Sequence, residues 1–322
     1  MGRYLTKRIL ISIPIFFVIT LVVYFLSNRA PGGPMDVVAA SSGTLTLEEL
    51  DMLKASYGLD KPLLTRYGIW LGGMMRGDLG MSYAYGKPVG MLVAERVGPS
   101  LLLNFTALII SMILGIGLGI VSACKQYSKF DSVVSGYSYL SQSIPGFFSA
   151  FLLIFLFAAT LRLLPTSGMY DVDSKSLGAL ARHMVLPVTA LSLGTSGIFI
   201  RQSRSAMLEV LNEDYIRTAR SKGIRRRAVI VNHAIRNAML PVITVVGMCM
   251  TSMVSGSVVV EQIFGWPGIG SLMMTAIEKR DYPIIMGLTV VISIAVLVIN
   301  ILLDIVYAAL DPRISFASGA SK

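Results

Sequence analysis

The sequence predicts an all-α integral membrane protein that crosses the bilayer six times. Three observations carry this. Of 322 residues, 54% are hydrophobic and only 14% charged, with mean hydropathy +0.70, whereas soluble domains carry about 25% charged residues. Stretches free of Asp, Glu, Lys and Arg recur along the chain, each near the ~20 residues a helix needs to cross ~30 Å of hydrocarbon. The net charge of +10 lies in polar segments on one side of those stretches.

Arg3, Lys7 and Arg8 precede an uncharged run at residues 9–28. A secretory leader begins in the same way, but its apolar region is usually only ~7–15 residues, so this run reads as a retained first span. Residues 29–99 are the longest polar region, an extracytoplasmic loop. Thr46 and Glu49 form a capping box ahead of Leu50, Leu53 and Tyr57, and Gly58 closes that helix. A second short helix begins near Pro62 and places Leu63, Tyr67, Trp70 and Met74 on one face. Both should pack on the membrane surface or on the bundle rather than form a domain of their own.

Residues 100–322 hold the other five spans, at 100–124, 132–161, 183–200, 241–260 and 283–303. In the first of these, Gly115 and Gly119 are a small-xxx-small pair that would let another helix approach closely, although glycine is also common filler in membrane helices. Pro145 can bend the next span. With Gly146 it either loosens the backbone where a passage opens or is a plain kink. Asp304 and Glu261 mark span ends; Asp304 reads as a boundary residue reaching headgroups or a neighbouring helix.

Orientation follows from charge. With the N-terminus inside, segments 1–8, 125–131, 201–240 and 304–322 hold the whole +10, and the outer segments sum to zero. The positive-inside rule therefore puts both termini in the cytoplasm, and no nucleic-acid partner is needed to explain the basic excess. Cys124 and Cys249 lie in apolar runs and read as small hydrophobes. His183 and His233 have no Cys/His cluster around them, so no metal site is visible. The sequence has no GxxxxGK[ST] phosphate loop, so the chain does not hold ATP in the usual way. The centres of the spans carry no ionisable groups, which disfavours the competing class, a self-contained secondary transporter.

The most informative stretch is a polar island at residues 213–241, EDYIRTARSKGIRRRAVIVNHAIRNAMLP, with seven arginines and lysines and His233 as a further basic group. Asn212 is expected to cap a helix with Glu213 and Asp214 in its first turn and Arg220 and Lys222 in its last. Gly223 ends that helix. A second helical stretch, 225–238, carries Ile230, Val231, Ala234 and Ile235 on one side. Two short helices with an apolar seam and a basic face, held between two spans, make a docking knuckle.

This island resembles the EAA loop of ABC importer permeases, the cytoplasmic segment that fits a cleft on the ATPase subunit. Arg217-Thr218-Ala219 stands where the general pattern has Glu-Ala-Ala, and the distance to Leu240-Pro241 is longer than usual. Both departures are similar to the dipeptide/oligopeptide/nickel branch. NRAPGGP at 28–34, YGLDKPLLTRYGIWLGGMMRGDLGMSY at 57–83, EQIFGWPGIG at 261–270, RDYP at 280–283 and LDPR at 310–313 extend the similarity along nearly the whole chain. It resembles the subunit type with a long first outer loop.

The resemblance implies a plasma-membrane heterodimer with a companion permease, enclosing one path. Two ATPase subunits would hold ATP and Mg, and an extracytoplasmic solute-binding protein would deliver a peptide; nickel or glutathione is the alternative cargo. The chain itself would bind no cofactor and catalyse nothing. The residues implied for ATPase coupling are Asp214, Tyr215, Ile216, Arg217, Thr218, Ala219, Arg220, Lys222, Gly223, His233, Arg236, Asn237 and Pro241. Tyr215 and Ile216 would be the apolar anchor. Pro145, Gly146, Glu261, Phe264, Pro267 and Gly268 are the candidates for a gate or path, the last four on a reversal that scoops back toward it.

Overall fold

The computed structural model describes residues 2–29, 52, 60–171, 173–254 and 257–310. The capping box at Thr46 and Glu49, the closing Gly58, the APGGP segment and the terminal DPR lie outside them. Twelve helices follow in order among the described residues. They are α1 (Gly2–Arg29), α2 (Leu63–Met75), α3 (Val89–Cys124), α4 (Lys129–Ser143) and α5 (Gly146–Leu153, widening into a π-helical stretch at Ile154–Thr160). Next come α6 (Leu177–Leu211), α7 (Asp214–Ser221) and α8 (Arg226–Ala228, widening at Val229–Ile235). The last four are α9 (Arg236–Val254), α10 (Val258–Ile263), α11 (Ile269–Glu278) and α12 (Tyr282–Leu310).

Among the described residues, five helical stretches are long and apolar enough to span a membrane, and α4 with α5 makes a sixth if this pair, bent by 103°, is one span. The bend falls at Pro145, which has φ −58° and ψ 136° and starts α5. Proline both lacks the N–H and pushes its predecessor out of the helical region. Several helices outrun their apolar cores. α3 starts at Val89 and α6 ends at Leu211, because hydropathy detects the lipid-crossing part and not its amphipathic extensions. The fifth span is placed differently from expectation. One helical run covers 226–253, so the stretch 225–238 is the start of the span rather than a separate short helix. Pro241 lies inside α9 without breaking it, as membrane helices tolerate where neighbours take up the freed carbonyl. Residues 258–263 then form a helix of their own.

Two compact units divide the chain. In the first, which contains α1, α2, the start of α3, α11 and most of α12, Val89, Leu92 and Val93 pack on Ile269, Leu272, Ala276, Ile284 and Leu288. α2 lies on α1 through Tyr67, whose ring is 5.4 Å from Tyr24 and whose hydroxyl is 3.0 Å from Thr20 Oγ1. As expected, α2 begins after Pro62. Asp304 pairs with Arg8 Nε at 3.0 Å, the neighbouring-helix role anticipated for it. The turn from α11 to α12 is a Schellman motif: Asp281 N–H donates to Ala276 O (2.8 Å) and Arg280 N–H to Ile277 O (3.1 Å). Arg280 takes the left-handed position at φ 53°, a place usually given to glycine.

Asp281, fully buried, accepts the Ser82 hydroxyl and the Ala84 N–H (2.9 Å), and Ser82 Oγ in turn accepts the Tyr85 N–H (2.9 Å). One carboxylate thus holds residues 82–85 to the helix corner. Asp281→Ala strands these donors, a loss of ~1–3 kcal/mol. Amide exchange at Ala84 and Tyr85 should accelerate about tenfold or more; unchanged exchange would show that the loop does not depend on this group.

In the second unit α6 is the central helix, packed against α4 and α9. Its buried face mixes large side chains such as Phe199, Ile200 and Met207 with small ones, Ala190, Ser192, Ser196, Gly197 and Ser203. A Cβ on Gly197 would fall on Ser141 Oγ, and one on Gly119 of α3 would fall on Ser203 Oγ and lie 2.6 Å from Ile200 O. Gly115 meets Ser196 O at 2.7 Å in the same sense, while Gly117 faces open space. The 115/119 pair is therefore a true close-approach surface. Serine and tyrosine hydroxyls add interhelical bonds, Ser192 to Ala107 O (3.1 Å) and Tyr137 to Leu193 O (3.2 Å), the usual polar glue where lipid supplies no hydrophobic drive.

Candidate functional site

The polar island folds into a short helix and a turn leaning on the chain's own core. Asn212 does not cap α7. It is the C-terminal cap of α6, with its amide donating to Leu208 O (3.0 Å), and Glu213 takes the capping position with φ −67° and ψ 146°. α6 outlasts the apolar span, so Asn212 is used up at its end. Gly223 sits at φ 74° and donates its N–H to Arg220 O (3.0 Å), the left-handed stop expected of it.

The apolar seam of α7 points inward. Ile216 is fully buried and Ala219 nearly so, packed with Ala123 of α3, Ala206 and Met207 of α6, and Val229, Ala234 and Ala238 beyond the turn. Ile216 is thus not an outward anchor. It ties α7 to three other helices, and Tyr215, 43% exposed, is the large apolar side chain left on the surface. Asp214, Arg217, Thr218, Arg220, Lys222 and Gly223 are exposed, as are His233, Arg236, Asn237 and Pro241. Ala219 and Ala234 belong to the core below them. The Arg217–Asp214 pair, at 3.4 Å with side chains 76% and 95% exposed, contributes little. The basic side chains of the island thus stand exposed at the surface.

The corner beneath the island escaped the sequence reading. Asp131, buried in the first turn of α4, accepts Arg204 Nε (2.7 Å) and an Arg204 terminal nitrogen (2.9 Å), the Ser122 hydroxyl, and the Tyr127 N–H (2.9 Å). Such a bidentate, fully satisfied pair is the arrangement in which burying charge is tolerated. It joins the α3–α4 corner to α6 two turns before the end of that helix. Arg226 adds a bond to Cys124 O (3.0 Å), one of the unpaired carbonyls at the end of α3. The available signal was Ser128-x-x-Asp131, a capping pattern before an apolar run; Ser128 Oγ does accept the Asp131 N–H (3.2 Å).

The gate candidates divide. The bend at Pro145 brings α5 onto α10, where Ala150 and Ala158 share a core with Leu186, Ala190, Val260 and Phe264. Gly146 has open space around its Cβ position, so sterics do not demand glycine there. Glu261 and Phe264 are buried at 0% and 2% exposure, inside packed structure. Gly265 (φ 55°) closes α10, with Trp266 N–H on Glu261 O at 2.8 Å, and Phe264 O accepts Gly168 N–H (2.8 Å). Gly268, after Pro267, caps α11, its N–H donating to Ser271 Oγ (3.1 Å). His183 was also missed as a structural group. Its ring nitrogens contact Gly168 O (3.0 Å) and Asp171 Oδ1 (3.1 Å), fastening the segment ahead of α6.

Known proteins agree with this architecture. Residues 115–316 match the model for "Binding-protein-dependent transport system inner membrane component", and residues 1–98 match its N-terminal companion family. A Brucella suis protein is 41% identical over 98% of this chain and 99% of its own length. The oligopeptide transport system permease protein AppB of Bacillus subtilis is 38% identical over 98% of this chain and 100% of its own. The dipeptide transport system permease protein DppB of Escherichia coli is 35% identical over 98% and 99%. Among solved structures, an inward-facing MetNI methionine ABC transporter superposes with TM-score 0.57 at 15% identity, over 69% of this chain and 97% of that one. That likeness speaks for the fold. Full-length identity and the family match together show that the chain is a multi-pass protein of the inner membrane and belongs to the binding-protein-dependent transport system inner membrane components.

Proposed function

We propose that the chain is one permease of a pair in an ATP-driven peptide importer, with residues 214–223 as the contact through which ATPase subunits move it. The observation that carries this is the two-sided character of α7: Ile216 and Ala219 locked into the bundle, Tyr215 and the exposed basic groups outside. The names of the Bacillus and Escherichia relatives supply the cargo class. The basic excess on the segments bearing this loop supports a cytoplasmic position for it and for the N-terminus, and ATP and Mg belong to the partner subunits. Because Ile216 shares one core with residues of α3, α6 and the start of the fifth span, a force on α7 reaches all three rather than only the helices flanking it. The loop shifts the transport equilibrium only through contacts that differ between ATPase states.

The test is ATP-dependent uptake of labelled dipeptides and oligopeptides into proteoliposomes holding this chain, its companion permease, the ATPases and the binding protein. Gly223→Pro cannot hold a positive φ, and Arg217→Glu reverses charge on an exposed position without touching the seam. Each should cut uptake roughly tenfold or more, the scale of losing a ~2 kcal/mol contact, while the subunits still co-purify. Ion-gradient-driven uptake by the chain alone, indifferent to both changes, would overturn the proposal.

A further inference from the structure

A cavity of about 880 Å³ lies among α1, α2, the segment 78–83 and the start of α12. It sits at the C-terminal end of the first apolar run, where Tyr24 and Asn28 line it. Lys61, Arg66 and Arg76 line it as well, against one acid, Asp78, whose Oδ1 already accepts the Gly80 N–H (2.8 Å). Arg66 spends one nitrogen on Asn28 Oδ1 (2.7 Å) and keeps further donors in its planar fork. Trp70, stacked 5.9 Å from Tyr67, also lines the cavity, and its indole N–H is buried without a hydrogen-bond partner among the described residues. A buried donor left unmade is unusual and marks a place where an acceptor is missing. Gly68 and Gly72, one turn apart on α2, leave the wall open, since a Cβ on either would meet nothing within 4 Å.

We propose that this cavity binds the phosphate headgroup of an anionic phospholipid. Three cations against one acid, with an orphan N–H, suit a phosphate-type acceptor. The size and place select the lipid as its source: a free phosphate would fill a small part of 880 Å³, and the cavity opens where a span ends and headgroups lie. The glycine stripe and the exposed Ile69 and Met81 beside it offer an apolar track for an acyl chain.

The test is native mass spectrometry of the full-length protein, with the partners it retains, after exchange into phosphatidylglycerol or phosphatidylcholine. Phosphatidylglycerol should be retained about tenfold better, the combined Lys61→Gln/Arg76→Gln variant should lose that preference, and excess inorganic phosphate should not displace the lipid. Trp70→Phe keeps the ring on Tyr67 and removes only the N–H; it should lower retention a few-fold, which keeps the test open if the double variant folds poorly. Equal retention of both lipids, retention unchanged in both variants, or displacement by phosphate would each overturn the assignment.

Discussion

Replacing Gly119 with leucine is expected to prevent α3 and α6 from docking, and even Gly119→Ala should destabilise the protein measurably. A Cβ at this position lands on Ser203 Oγ and within 2.6 Å of Ile200 O. The serine is itself tied down by its bond to Phe199 O (2.6 Å), and the carbonyl belongs to the backbone of α6, so neither can step aside. Overpacking of this kind costs typically ~1–3 kcal/mol, and the alanine variant should lie at the upper end of that range. Gly117→Ala, two residues away in the same helix, meets nothing within 4 Å and should be neutral or slightly stabilising, since glycine is the poorer helix former by up to ~1 kcal/mol. Thermal denaturation of the two variants in detergent checks this. Similar shifts for both would mean that the helix crossing does not depend on the glycine at 119.

Arg204→Ala is the second large effect. It leaves Asp131, 4% exposed, as a charge with only the Ser122 hydroxyl and the Tyr127 N–H for company. Breaking a buried pair typically costs ~3–5 kcal/mol. Here ~2–4 kcal/mol is expected, because the Arg204 side chain is 27% exposed and water can partly replace it. Asp131→Asn with Arg204→Met should recover part of the loss by removing both charges, so a double-mutant cycle should show strong coupling. The same corner lies on the route from α7 into the bundle. If α7 is the ATPase contact, Arg204→Lys, which keeps the charge but not the fork, should reduce uptake per ATP hydrolysed more than it reduces the denaturation midpoint. Additive single effects in the cycle would show that the pair is incidental.

The fold was legible in the sequence because hydropathy and charge act one residue at a time. Uncharged runs near twenty residues must be helical in lipid, where no water satisfies the backbone, and lysine and arginine stay outside it. Proline at 145 and glycine at 223 also act locally, through φ, and both fell where expected, at a sharp bend and a left-handed stop. The family order around RTARSKG and EQIFGWPGIG was read in the same way, as a linear pattern.

What linear reading missed depends on a partner distant in the chain. Ile216 looks like an outward anchor on an isolated amphipathic helix, and only Ala123 and Met207 arriving from other helices make it core. Asp131 and Arg204 are 73 positions apart, Ser82 and Asp281 are 199 apart, and each residue alone reads as an ordinary polar loop or boundary residue. Asn212 could cap either the helix before it or the one after. The length of α6, set by packing beyond the apolar span, gave it to the former. The sequence by itself thus determined which segments are apolar enough to cross the membrane and where the backbone bends at Pro145 and stops at Gly223, because solvation and φ preferences are local. The tertiary structure alone decided which polar groups are paired and which face of the island is free, because burial and hydrogen bonding belong to pairs of residues.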